Sequence, residues 1–147
     1  MNREQINSLG TKFELHFGMK SNKLTANGSI TDHRDLKVWI VAVELATDIY
    51  NLTKNLPKGE KYGLCSQMRR AAVSVASNIA EGAARGSRKE FIRFLYIASG
   101  SVSELETQLI ILENVGLIQE KDALIKIRER LYGVKCMIHG LIRALRK

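Results

Sequence analysis

LCSQMRRAAVSVASNIAEGAARGSRKEFIRF, residues 64 to 94, is the stretch that decides the fold. Its first two-thirds are so rich in Ala, Ser, Gly and Val that neighbouring backbones can approach from more than one side. Leu64, Met68, Ala71, Ala72, Val75, Ile79 and Ala83 step by three and four residues, the spacing that keeps side chains on one helix face. Val73, Ala76, Ala80 and Ala84 repeat that spacing beside the first seam. One polar stripe is left: Gln67, Arg70, Ser74, Ser77, Asn78, Glu81 and Arg85. A helix apolar around most of its circumference is covered by protein around most of it. A chain of 147 residues has few helices for the task, so copies of the molecule are expected to share it. The expected oligomer interface or polar stripe is Arg70, Val73, Ser74, Ala76, Ser77, Asn78, Ala80 and Glu81.

Glu81 needs a cation or donors on so covered a helix. Arg70 lies about 16 Å away along the axis and cannot reach it within one helix. The partner is therefore Arg85 four residues on, a group on another helix, or Arg70 of a neighbouring subunit.

Gly86 marks the end of this helix, and Ser87-Arg88-Lys89-Glu90 then reads as a capping box that opens the next. Phe91, Phe94, Leu95, Ala98, Val102, Leu105, Leu109 and Leu112 give that helix a long seam. Further on, Leu124, Ile127, Leu131, Val134, Ile138, Leu141 and Leu145 form the cleanest heptad in the chain. Lys126, Arg128, Arg130, Lys135, Arg143, Arg146 and Lys147 make its outer face basic. Before the deciding stretch, Val38, Ala42, Leu45, Ile49 and Leu52 set a helix with Asp35 as its expected N-cap, stopped by Pro57 and Gly59. Trp39 beside this stripe reads as core or subunit interface.

The expected organisation is a loop-like arm over residues 1–33, then helices over about 35–54, 60–85, 88–114 and 120–146. Four such helices with short connections make an all-α, up-down-up-down bundle. A single Pro and no sustained apolar-polar alternation argue against a β sandwich or barrel. With 45% hydrophobic and 26% charged residues the chain is not disordered along its length. No apolar run approaches the roughly 20 residues a membrane span needs, since VWIVAVELA is broken by Glu44. Cys65 and Cys136 read as reduced, buried residues, and the expected location is the cytoplasm.

Catalysis finds no support in the residues. His16, His33 and His139 are scattered, and no zincin, di-iron, phosphate-loop or nucleophile-elbow pattern occurs, so no catalytic residue, metal or cofactor is expected. Charge is the stronger lead: the formal net charge is +8, which biases the protein toward polyanions. Arg85, Arg88, Lys89 and Arg93 crowd one interhelical turn, with Arg69 further back, and these five are the candidate contacts to RNA or DNA. The turn also presents the amino-terminal end of a helix, whose free amides attract phosphate. A scaffold that docks a protein partner is the alternative.

Three stretches carry a resemblance: DLKVW at 35–39, YGLCSQMRRAAVSVASNIAEGAARGS at 62–87 and FIRFLYIASGSVSELETQL at 91–109. Together they resemble the four-helix-bundle family of 23S rRNA intervening-sequence proteins, from about residue 35 to the end. The resemblance implies a left-handed antiparallel bundle assembled into homo-oligomeric rings, typically pentamers. It also implies kinship with the accessory proteins of diversity-generating retroelements, basic rings that engage a reverse transcriptase and nucleic acid. It implies no established activity.

Overall fold

The computed structural model describes residues 32–60, 63–118 and 121–147, except the side chain of residue 58; most of the expected arm lies outside these residues. Every regular element among them is helical: α1 (Lys37–Lys54), α2 (Leu64–Ala84), α3 (Arg88–Asn114) and α4 (Lys121–Arg146), with short 3-10 turns at His33–Asp35 and Lys58–Glu60. Each helix packs on two others, α1 on α2 and α4, α3 on α2 and α4. One core fills the space between them, from Leu36 through Met68, Ile79, Leu95, Leu105 and Leu112 to Ile138.

The starts of α1 and α2 differ from the sequence reading. Asp35 is not the cap of α1; it sits inside the 3-10 turn, and the helix begins after Leu36 with no side-chain cap. Asp32 does the capping instead, at the start of that 3-10 turn, accepting hydrogen bonds from the Arg34 backbone amide and Nε, both at 2.8 Å. The Arg34 guanidinium and amide hold the Asp32 carboxyl down at about 2. Burying Leu36 against the core takes the N-cap position, and an apolar side chain there cannot cap. Residues 58–60 form the second 3-10 turn, so α2 starts at Leu64 rather than near Glu60.

The turn between α2 and α3 follows its residues closely. Gly86 has φ +64, the left-handed conformation that ends helices at low steric cost in glycine. Ser87 then accepts a bond from the Glu90 amide at 3.4 Å, which is the first half of the capping box. The carboxylate of Glu90 faces Arg93 Nη1 at 3.6 Å. At the other end, Gly116 (φ +71) closes α3 with Gly116 N donating to Glu113 O and Leu117 N to Leu112 O, the paired bonds of a Schellman motif.

Small residues on α2 let α3 come close. A Cβ on Gly82 would stand 2.6 Å from Phe94 Cβ and 2.9 Å from Phe91 Cδ2. Further along the same contact the Ser74 and Ser101 hydroxyls share a hydrogen bond of 2.8 Å. Of the two cysteines, Cys65 is buried and Cys136 is exposed, which corrects the expectation that both are buried. Burial pushes the Cys65 thiol up, against the pull of Arg69.

The contact at Gly82 yields a test. Gly82→Ala gains up to about 1 kcal/mol in helix propensity, but overpacking against a backbone-anchored Cβ costs about 1–3 kcal/mol. A net loss of stability is expected in urea denaturation, and a midpoint raised above that of the parent protein would disprove the close approach.

Candidate nucleic-acid interface

The hairpin between α2 and α3 carries the candidate cations, and they are not equivalent. Arg85 is the C-cap of α2; its guanidinium pairs with Glu81 and lies 5.3 Å over the Phe94 ring. Within the chain, Arg85 is the cation that Glu81 meets. Arg93 is exposed near Glu90, whereas Arg88 and Lys89 are exposed with no carboxylate partner among the described residues. Arg69 stands apart from the cluster. It lies about 24 Å from Arg85 along α2, donates from Nε to Thr53 Oγ1 at 2.8 Å and covers the Tyr50 ring at 4.9 Å. Its half-buried guanidinium fastens α2 to the last turn of α1.

Tertiary structure adds cations that sequence reading placed elsewhere. Rungs between α3 and α4 join Glu113 to Arg128 (2.7 Å), Glu106 to Lys135 (2.9 Å), Ser99 to His139 (3.2 Å) and Tyr96 to Arg146 (2.6 Å). Numbers climb on one helix while they fall on the other, so the last turn of α4 lands beside the first turns of α3. Arg143, Arg146 and Lys147 therefore share an end of the bundle with Arg88, Lys89 and Arg93. Arg143 and Lys147, like Arg88 and Lys89, are exposed with no carboxylate partner among the described residues.

The middle of α4 behaves differently. Arg128 and Lys135 are held by carboxylates of α3, and Arg130, only 19% exposed, lies between Asp48 and Glu44 of α1. The face read as basic is thus divided: Arg128, Arg130 and Lys135 are matched, while Lys126, Arg143 and Lys147 have no carboxylate partner among the described residues. Spacing within α4 alone cannot reveal this, because every neutralising carboxylate comes from another helix.

The expected interface residues lie along the outer side of α2. Ser74 reaches Ser101, Asn78 donates to Ser74 O at 2.8 Å, and Arg70 donates to Gln67 Oε1 at 2.6 Å. Ala76 is buried and Ala80 half-buried, while Ser77, Ala84 and Val73, the last at 43%, are exposed. Trp39 is half-buried with its ring edge-on to His33 at 5.0 Å.

Among the described residues no cluster of His, Cys, Asp or Glu could hold a metal ion, and no helix is long and apolar enough to cross a membrane. At the end away from the hairpin, a recess of about 540 Å³ is lined by Leu52, Leu56, Pro57, Ile118 and Ile127 with Asp48, Asn51 and Lys126.

Comparison with known proteins gives one family. The model of the 23S rRNA-intervening sequence proteins matches residues 34–140. The chain is also similar to a crystal structure from Bacteroides thetaiotaomicron, a protein of unknown function from the S23 ribosomal protein family. The two share 27% identity with a TM-score of 0.66, over 72% of this chain and 95% of the other. No curated protein matches the sequence.

The division of cations makes a measurable contrast. Arg130→Ala leaves Asp48 partly buried without its cation and is expected to lower stability by about 1–3 kcal/mol. Arg143→Ala removes an exposed, unpaired charge and is expected to stay within about 0.5 kcal/mol of the parent. Equal effects in thermal or urea unfolding would refute the assignment of structural and free cations.

Proposed function

The chain belongs to the 23S rRNA-intervening sequence protein family, and on that premise we propose that it is a non-enzymatic, homo-oligomeric bundle whose basic end holds RNA or DNA by its phosphates, largely without regard to sequence. One observation carries this reading. Arg128, Arg130 and Lys135 are matched by carboxylates of neighbouring helices, yet Arg88, Lys89, Arg143 and Lys147 have no carboxylate partner among the described residues and gather at one end. Unmatched like charges held together raise the local potential for a polyanion. The amino-terminal amides of α3 point the same way, since a helix start favours phosphate. Copies joined in an assembly would repeat the patch, and weak contacts would sum.

The test is titration across salt. Log K should fall against log salt by about 0.9 per phosphate neutralised on duplex DNA and about 0.7 on single strands. Changing Arg88, Lys89, Arg143 and Lys147 together to Ala should flatten the line by about that amount for each phosphate no longer neutralised. Binding that ignores salt, or survives the fourfold change intact, sinks the proposal.

The same proposal takes the bundle as antiparallel, up-down-up-down and left-handed, joined to its copies in a ring of five. The opposed numbering of the α3–α4 rungs supports the antiparallel course. Exposed Val73, about one and two turns before the small residues Ser77 and Ala80 on α2, supports a contact between copies. In sedimentation velocity the parent chain is expected as an assembly and Val73→Glu as a single copy. A parent protein that sediments as one copy at micromolar concentration would end the ring model.

A further inference from the structure

We propose that Tyr96 and Arg146 form a stacking platform for an unpaired nucleobase, so that the basic end favours single strands over duplex. This rests on the phosphate-binding reading above and adds to it a choice between nucleic acids. Tyr96 is 47% exposed, on the outer side of α3. Its hydroxyl accepts a hydrogen bond of 2.6 Å from Arg146 Nη2, and the guanidinium carbon stands 5.6 Å from the ring centroid. The ring is thereby held in one place while still wet. A ring already ordered loses little freedom when a base settles on it.

Its neighbours are the free cations Lys89, Arg143 and Lys147, with Arg93, which faces Glu90, beside them. Arg93 and Lys89 lie three and seven residues earlier on the same side of α3, and Arg143 and Lys147 flank Arg146 on α4. A backbone gripped there sets its bases near an aromatic face and a guanidinium plane, both of which stack on any base. Duplex bases keep their faces to themselves. Tyr50 provides the contrast: it is 42% exposed beneath Arg69, but that guanidinium is bound to Thr53 and the ring is far from the cation cluster. An exposed ring with an arginine is therefore not enough; the free cations make the site.

The experiment is fluorescence anisotropy on the full chain, with a dye-labelled unstructured RNA and the duplex of equal length, at several salt concentrations. Tyr96→Leu is expected to weaken the single strand by roughly 5- to 100-fold, the worth of one stacked base. It should change the duplex by less than about 2-fold and leave the salt slope unaltered, because the same phosphates are still neutralised. Tyr96→Phe should retain most of the single-strand affinity. Tyr96→Trp gives a readout that does not depend on removing the aromatic ring: its added emission, measured against that of Trp39, should be quenched by single strand and not by duplex. Equal weakening on both nucleic acids, no weakening on either, or an unquenched indole would overturn the platform while leaving salt-dependent phosphate binding in place. Absence of salt-dependent binding by the parent chain would overturn both.

Discussion

The close approach of α2 and α3 is the constraint on which the rest of the molecule depends. With glycine at position 82, the Cβ of Phe94 and the ring of Phe91 occupy space that any other residue would claim. Ser74 and Ser101 continue the contact, their hydroxyls satisfying each other where larger side chains would hold the backbones apart. Tight packing leaves a connection of only three residues, Arg85 to Ser87, with its reversal at the left-handed Gly86. The turn is too short to bury Arg85 or the Arg88 and Lys89 that follow it, so they stand in water at the end of the bundle.

Electrostatics follow from that frame. Ion pairs at the surface contribute little to stability, about 0–1 kcal/mol each. Arg130 is another case, since its guanidinium is mostly covered and faces both Asp48 and Glu44 on α1. The inter-helix ion pairs fall along the flanks where α4 meets α1 and α3, and Arg143 and Lys147 near its end have no carboxylate partner among the described residues. Cations near the end of α4 also lie at the negative pole of its dipole, which holds them in place without a carboxylate. Stability and availability for an outside anion are thus divided along the length of a single helix.

Fold and family agree. The Bacteroides thetaiotaomicron structure covers 72% of this chain at a TM-score of 0.66, with a sequence only 27% identical. A bundle built in this way has no need of a polar interior. Its core from Leu36 to Leu145 is mainly hydrophobic, with Thr53, Ser101 and Gln108 as buried polar side chains, and the described recess lies at an end of the bundle, away from the basic cluster. On its surface, the exposed cations and the Tyr96–Arg146 pair are distinctive features.

Four helices were legible in the sequence because three- and four-residue spacing is a local property, and so were the glycine at the end of α2 and the serine at the start of α3. Local spacing was less informative where a competing contact decided the outcome, as when Leu36 took the position before α1 and Asp32 capped the preceding turn. It also counted Arg69 among the candidate contacts, although Thr53 and Tyr50 engage that side chain. Sequence by itself therefore determined the helices, their inward faces and the excess of positive charge. Only the tertiary structure decided which charges are matched, because a carboxylate such as Asp48 and its arginine at 130 are brought together by packing alone.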